Sequence, residues 1–157
     1  DVDVERHDHA LCAHAMYGCA DLPAFVTRMS EAARQSCFML MRAPLPGGVM
    51  AEAAREVLGH PHDSPNFIVA YNALWQMGLF ADVLMEDSGP WGQWRHDTLA
   101  EALAAVKARL GVADDDRHDG MLDDLLRRRL RHEDTGWVWP CGVRSALVTW
   151  EPGMLDV

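Results

Sequence analysis

The chain has 157 residues, of which 49% are apolar; this fits one globular domain with a buried core and excludes a disordered segment. Lys and Arg number 14 against 24 Asp and Glu, and the net charge of −10 argues against nonspecific binding to nucleic acid or to an anionic membrane. No apolar run reaches the ~20 residues of a membrane span, no signal sequence is recognisable and the four cysteines form no CxxC pair, so we expect a cytoplasmic protein with reduced thiols.

The first elements in the chain predict a strand, a helix and a second strand. The mostly apolar run His9–Met16 has the length of a strand, and its apolar character on both faces is typical of the inside of a parallel sheet. Asp21 is a helix-capping residue, and apolar residues at helical spacing extend the helix to about Arg34. Cys37–Met41 is a second buried strand. The β-α-β order predicts that the two strands are parallel neighbours.

A second α/β unit follows. Val49–Leu58 is a short amphipathic helix that Gly59 ends. Ser64 and Pro65 are a helix-start signal, with Ser64 as the cap. Leu79–Met85 is the third predicted strand.

The last third of the chain predicts two helices and two short strands. Thr98 and Glu101 form a capping box that opens a helix to about Leu110. A leucine stripe predicts a further helix that ends near Leu130. Trp137–Trp139 and Ala146–Trp150 have strand character, and the short segment between them suggests a hairpin-like connection.

Three aromatic residues fall in predicted loops and not on helical stripes: Tyr17, Trp91 and Trp94. Two of these loops follow strands, and in open α/β sheets ligands bind outside the carboxyl ends of the strands. The aromatic side chains therefore suggest a pocket for a flat or apolar substrate. The alternative is that they fold back onto the core as ordinary packing residues.

The histidines offer a second candidate site. His7, His9 and His14 have the spacing H-x-H-x4-H, and a strand would place the first two on one face, as a pair of metal ligands requires. His60 and His62 form another pair with no third ligand nearby. Loop and strand-end histidines explain both groups more simply, so we predict no metal site.

The elements together resemble the second half of a class I S-adenosylmethionine-dependent methyltransferase. The segment RHDHALCAHAMYG at 6–18, followed by DLPAF at 21–25, is similar to the fourth strand of that family and the start of the next helix. Ser36–Pro44 resembles the fifth strand, and Ala73–Val83, with its central glycine, resembles the junction of a helix with the sixth strand. Arg144–Pro152 would be the antiparallel seventh strand.

The resemblance implies a fold class and a domain organisation. The fold would be α/β, a partial Rossmann-like three-layer sheet with parallel strands, an antiparallel C-terminal strand and helical lid-like insertions. Residues 1–157 would be a single α/β domain, the C-terminal part of a larger methyltransferase domain, with a helical insertion at 87–135. The family's glycine-rich turn and second-strand acidic residue are absent from a sequence that opens on Asp1. We therefore expect the cofactor-binding half to precede it.

The resemblance also assigns site residues. Ala13 and His14, at the end of the fourth strand, would face S-adenosylmethionine. His14 is a candidate general base, because the ordinary pKa of a histidine suits proton transfer near neutrality. The residues expected to line the substrate pocket are Tyr17, Arg42, Trp91 and Trp94.

The implied function is the substrate side of a methyltransferase that acts on a small molecule, without nucleic acid or a membrane as partner. The chain alone should be inactive, because the main cofactor-binding motif is missing. Without a first strand beside it, His9–Met16 would be an exposed apolar edge, so we expect self-association or pairing with the missing N-terminal half. The alternative is a non-catalytic α/β module that binds a partner, or a metal through its histidines.

Overall fold

The structure is a computed structural model that describes residues 4–86, 94–140 and 142–155. Within these residues the fold is mixed α/β, with five α-helices and seven β-strands. The helices are α1 Leu22–Ala32, α2 Val49–Leu58, α3 Phe67–Gln76, α4 Leu99–Arg109 and α5 Asp119–Arg129. The strands are β1 His7–Ala13, β2 Ala33–Pro44, β3 Asp82–Met85, β4 Arg95–His96, β5 Arg131–Glu133, β6 Gly136–Val138 and β7 Val143–Trp150. Short 3-10 turns cover Met16–Gly18 and Pro152–Leu155.

The chain divides into two compact units. The first comprises residues 1–43, 65–87 and 145–157, and the second comprises 44–64 and 88–144. The second unit thus contains α2 as well as the segment around α4 and α5. One domain with an insertion at 87–135 stays a prediction.

The first unit is built on a four-stranded sheet with the order β1-β2-β7-β3. The strands β1 and β2 are parallel, as the sequence predicts, and β3 and β7 are antiparallel. The sheet is therefore mixed, and its C-terminal strand has the antiparallel direction expected for it. The finer assignment to a Rossmann-like fold is taken up below.

Alternation in the sequence explains why β2 is an inner strand. Cys37, Met39 and Met41 are fully buried at every second position, so one face of the strand fills the core of the first unit. The preceding helix α1 adds Val26 and Met29 to the same core. Its predicted cap is confirmed, because the Asp21 carboxylate accepts a hydrogen bond from the Ala24 backbone N–H at 3.0 Å.

The strand β1 is shorter and more exposed than predicted. It ends at Ala13 instead of Met16, and it lies at one edge of the described sheet. Cys12 is buried, but Leu11 is 70% exposed. The prediction of a strand buried on both faces is wrong, because one face of β1 packs on the core through Ala10 and Cys12, whereas Leu11 on the other face is exposed. The exposed apolar edge expected from the resemblance is present among the described strands.

The second unit combines three helices with a three-stranded antiparallel sheet of order β4-β6-β5. Helix α5 packs against both α2 and α4, and its leucines, Leu122, Leu125 and Leu126, are buried in the shared core. Gly136 is required at the start of β6. Its φ is +107°, and a Cβ there would overlap the His96 carbonyl oxygen.

The predicted ends of several helices match the structure. Helix α2 has the predicted bounds, with Gly59 in the left-handed conformation at φ 78°. The capping box of Thr98 and Glu101 at the start of α4 is confirmed in full.

Two local predictions are wrong. Helix α3 is capped by Asn66 and not by Ser64, because the Asn66 side chain accepts hydrogen bonds from the backbone N–H groups of Ile68 and Val69. The strands that contain Trp137 and Ala146 are not hairpin partners either. The first belongs to the sheet of the second unit, and the second belongs to the sheet of the first unit.

Among the described residues, no helix combines the length and the apolar character that a membrane crossing requires.

Candidate functional site

The first candidate site lies where β1 and β2 approach their carboxyl ends. The parallel register places Ala13 opposite Leu40, and the His14 N–H donates a hydrogen bond to the Leu40 carbonyl at 3.0 Å. His14 therefore follows β1 directly, and Arg42 lies two residues beyond Leu40 on β2. Because parallel strands end at the same edge of a sheet, the two residues share the edge at which open α/β sheets bind ligands.

The backbone of His14 adopts an uncommon conformation. Its φ is +52°, and it is the sole residue other than glycine with a positive φ in the described parts of the chain. The left-handed conformation costs a residue with a side chain roughly 1–2 kcal/mol. Strain of this kind concentrates at functional sites, where surrounding contacts hold the residue in place.

The hydroxyl group of Tyr17 contacts both His14 and Arg42. The 3-10 turn Met16–Gly18 follows β1, and the buried Met16 side chain anchors it in the core. The Tyr17 hydroxyl lies 2.8 Å from His14 Nδ1 and accepts a hydrogen bond from the Arg42 backbone N–H at 2.6 Å. One phenol oxygen thus joins the end of β1 to β2.

Arg42 contacts the same ring through its side chain. The carbon at the centre of its guanidinium lies 4.4 Å from the centroid of the Tyr17 ring, within the range of a cation–π interaction. The imidazole ring of His14 also stacks on the Tyr17 ring, and the two ring centres are 6.1 Å apart. A cation, a phenol and an imidazole therefore meet at the end of two parallel strands.

The hydrogen bonds define what His14 can do chemically. A phenol oxygen has one hydrogen to donate and two lone pairs to accept with, and one lone pair receives the Arg42 N–H. When His14 carries its proton on Nδ1, that N–H donates to Tyr17, and Nε2 is then the nitrogen that bears the lone pair. When the proton is on Nε2, Tyr17 donates to Nδ1. Tyr17 therefore orients the ring in either tautomer.

The predicted site residues do not all belong to this group. His14, Tyr17 and Arg42 come together, and Ala13, exposed at the end of β1, adjoins His14. Trp94 lies in the second unit. Trp91 lies outside the described residues.

Trp94 belongs to an aromatic cluster that the sequence reading missed. Its ring centre lies 5.5 Å from that of Trp139, and His96 lies 6.0 Å from Trp139, both edge to face. The guanidinium carbon of Arg109 lies 5.1 Å from the centre of the Trp94 ring, and Arg109 forms an ion pair with the nearly buried Asp63 carboxylate. We name Trp94, His96 and Trp139 the Trp94 cluster.

A sequence signal for the Trp94 cluster exists. Residues at 94 and 96, and again at 137 and 139, are aromatic or histidine at alternate positions. Because β4 pairs with β6 in an antiparallel register that sets His96 opposite Trp137, all four side chains lie on one face of the sheet. To predict this cluster from the sequence, one would have to pair two segments that lie about forty positions apart.

The other histidines do not gather into a metal centre in the described part of the chain. No three or more side chains of His, Cys, Asp or Glu are arranged there to share a metal ion. The rings of His60 and His62 are 6.0 Å apart and lie in an exposed loop.

Comparison with known proteins adds no relative. No protein-family model matches the chain, and no curated protein does.

Proposed function

We propose that this chain is the substrate-side portion of an S-adenosylmethionine-dependent methyltransferase that acts on a small molecule. The observation that carries the proposal is the sheet of the first unit. All four strands that the resemblance relates to the family's fourth to seventh strands lie in this one sheet. The first two, β1 and β2, are parallel neighbours, and the last, β7, is antiparallel to β3, its neighbour in the sheet. The Rossmann-like assignment rests on this agreement.

The position of the His14 group supports the same proposal. Ligands of open α/β sheets bind beyond the carboxyl ends of parallel strands, and this is where His14 and Arg42 lie. Ala13 and His14 would form one wall of a cofactor site. Tyr17 and Arg42 would face the methyl acceptor from the adjacent strand end.

When bound, S-adenosylmethionine would supply a methyl carbon on a positively charged sulfur: an acceptor oxygen or nitrogen would bond to that carbon, and the sulfur would leave with the electrons of the broken C–S bond as a neutral thioether. The chain's own residues act on the acceptor. His14 Nε2 takes the proton that the acceptor loses, while Tyr17 fixes the ring through Nδ1. The Arg42 cation, which lies 4.4 Å from the Tyr17 ring centre, would stabilise the negative charge that develops on the acceptor as it loses its proton. Most of the rest of the rate enhancement would come from the alignment of the methyl donor with the acceptor.

The residues present fit only part of the cofactor. Ala13 is exposed and carries a single methyl group, so a ligand can approach the strand end closely. No glycine-rich phosphate-type or nucleoside-binding turn occurs in the sequence. We therefore place the main cofactor contacts on a further segment that pairs along the free edge of β1. That segment is either upstream in the same polypeptide or on a partner.

A binding titration tests the proposal. S-adenosylmethionine is titrated by calorimetry into this chain and into a version extended upstream by the preceding coding sequence. We expect saturable binding to the extended protein, and binding to the 157-residue chain that is at least an order of magnitude weaker. A natural start codon immediately before Asp1, or an extended protein that does not bind, would remove the proposal and leave a non-catalytic α/β module.

His14 and Tyr17 are then tested within the extended protein. His14→Gln and Tyr17→Phe should retain cofactor binding to within a few fold, because neither removes the glycine-rich half. With the acceptor identified, both should lower kcat, and His14→Gln should also flatten the pH dependence of kcat. Tyr71→Phe is the matched control, since the Tyr71 hydroxyl binds the Ala81 carbonyl at 2.7 Å, away from the site.

A further inference from the structure

The Trp94 cluster contains two buried polar atoms that lack partners among the described residues. Trp139 is 5% exposed, and its indole Nε1 has no hydrogen-bond acceptor. The same is true of Nε2 of His96, whose ring contacts Trp139 edge to face. Buried polar side-chain atoms are satisfied in the large majority of cases, so two unsatisfied atoms on adjacent rings require an explanation.

The chemistry of the two atoms defines the missing group. An indole N–H can donate but cannot accept, so its partner must be an acceptor such as a carboxylate or carbonyl oxygen. Nε2 of His96 donates to the same kind of acceptor when it carries a proton. The two rings are neighbours in edge-to-face contact, with centroids 6.0 Å apart, so a carboxylate with its two oxygens is the simplest single group that would serve both nitrogen atoms.

The surroundings favour a negatively charged, ring-bearing ligand. Trp94 is 43% exposed and offers an aromatic face beside the two nitrogen atoms. Arg109 lies over the Trp94 ring, and its cation is anchored by Asp63 and by the Ser64 hydroxyl at 3.5 Å. The Arg109–Asp63 ion pair thus holds a guanidinium beside the aromatic face of Trp94.

We propose that the Trp94 cluster is a binding site for a small aromatic carboxylate. The carboxylate accepts hydrogen bonds from Trp139 Nε1 and His96 Nε2, and the ligand ring packs against Trp94. Because the two nitrogen atoms are buried, the partly exposed Trp94 side chain moves to admit the ligand. Every residue involved belongs to the second unit, so the site stands whether or not the first unit serves a methyltransferase.

Benzoate is the probe, and the indole N–H resonances of the intact, isotope-labelled chain are the readout. The six tryptophans give resolvable indole signals, and Trp139→Phe assigns the one that matters. We expect benzoate to shift the Trp139 indole signal in a saturable manner, and acetate or benzyl alcohol to shift it far less. No saturable shift with benzoate, or an equal shift with acetate, overturns the proposal, because a bound water would then be the partner of both atoms.

Two variants and a matched control show that the two nitrogen atoms carry the affinity. Trp139→Phe and His96→Phe should each weaken benzoate binding about tenfold, the loss expected for one charge-assisted hydrogen bond. Trp137→Phe is the control, because this residue lies on the same sheet face and its ring packs on His132 at 5.0 Å. Circular dichroism checks that each variant is folded. If Trp137→Phe weakens binding as much as the other two, the proposal fails; if Trp139→Phe unfolds, His96→Phe decides.

Discussion

Tyr17 and Tyr71 are the only tyrosines in the chain, and they make possible a matched comparison within the first unit. The Tyr17 hydroxyl contacts the Arg42 backbone N–H and His14 Nδ1, whereas the Tyr71 hydroxyl donates to the Ala81 carbonyl. Replacement of either tyrosine by phenylalanine removes one oxygen and leaves the ring. The two variants should therefore differ in their effect on His14 and agree in their effect on stability.

The magnitude follows from the contacts that each hydroxyl makes. Tyr17→Phe leaves a half-buried backbone N–H without its acceptor, and Tyr71→Phe leaves a buried carbonyl without its donor. Such a loss costs about 1 kcal/mol when water can partly replace the partner. In a chain of this size, 1 kcal/mol corresponds to a fall in Tm of about 2–4 °C. The cation–π contact of Arg42 survives in part, since a phenyl ring still presents a face to the cation.

The assay combines urea unfolding with nitrogen NMR of the histidine rings. Both variants should lower the unfolding midpoint by a similar amount. Only Tyr17→Phe should change the ring-nitrogen shifts of His14, because only that variant removes the partner of Nδ1. An unfolding midpoint equal to that of the unmodified chain, or His14 shifts that move equally in Tyr71→Phe, would refute the role given to Tyr17.

Three further predictions concern strain, the sheet edge and a buried thiol. Because φ of His14 is +52°, the His14→Gly variant should have a free energy of unfolding in urea about 1–2 kcal/mol higher than that of His14→Ala. At position 13 in β1 the order should be reversed, with Ala13→Gly less stable than the unmodified chain. If glycine were the more stable residue at both positions, or alanine at both, the strain argument would be contradicted. Leu11→Lys on β1, at one edge of the described sheet, should reduce the mass that light scattering detects at high concentration, whereas Val69→Lys, exposed on helix α3, should not. A monomeric unmodified chain would disprove edge association. Burial raises the pKa of the Cys37 thiol above its ordinary value of 9.0, against a smaller lowering by the Ser30 hydrogen bond, so the folded state keeps the proton longer than the unfolded state. The stability from this thiol is therefore complete below pH 9.0 and is lost as the pH rises through the folded-state pKa, and Cys37→Ala should lessen the fall in unfolding free energy above that pH.

Local patterns in the sequence predict most of the helices correctly, since their signals act over a few residues. The cap at Asp21, the bounds of α2 and the capping box at Thr98 are of this kind. The start of α3 is an instructive failure. Ser64 precedes a proline and looks like a cap, but its hydroxyl instead lies 3.5 Å from the Arg109 side chain. Asn66 can accept from two backbone N–H groups at once and takes the cap position.

Strand partners cannot be read from local patterns with the same success. The segment at 137–139 is predicted as a strand and largely coincides with β6, but β6 pairs with β5 just before it and with β4 about forty residues earlier, and not with the next strand in the chain. A short connection favours a hairpin, and β6 forms one with β5, in which Glu133 lies opposite Gly136. The pairing with β4 also needs Gly136, because a Cβ there would overlap the His96 carbonyl oxygen. The Trp94 cluster depends on the pairing of β4 with β6, so patterns in neighbouring residues do not predict it.

The first candidate site was more accessible to prediction because β-α-β units have a fixed geometry. Once β1 and β2 are parallel neighbours, His14 and Arg42 must lie at one edge of the sheet. The positive φ of His14 and the shared hydroxyl of Tyr17 do not follow from topology. They depend on the register of Ala13 with Leu40 and on a turn whose shape is set by one buried methionine.

The edge of the sheet and the candidate site are physically connected through β1. The strand is bonded to β2 on one side, and on its other side no described strand pairs with it, so a further strand could pair there. His14 directly follows this strand in a strained conformation, so its position depends on how firmly β1 is held. A strand added along the free edge would supply a second ladder of hydrogen bonds and would restrict His14 further. The partner binding and the proton transfer that we propose would thus be coupled, because both would act through the seven residues of β1.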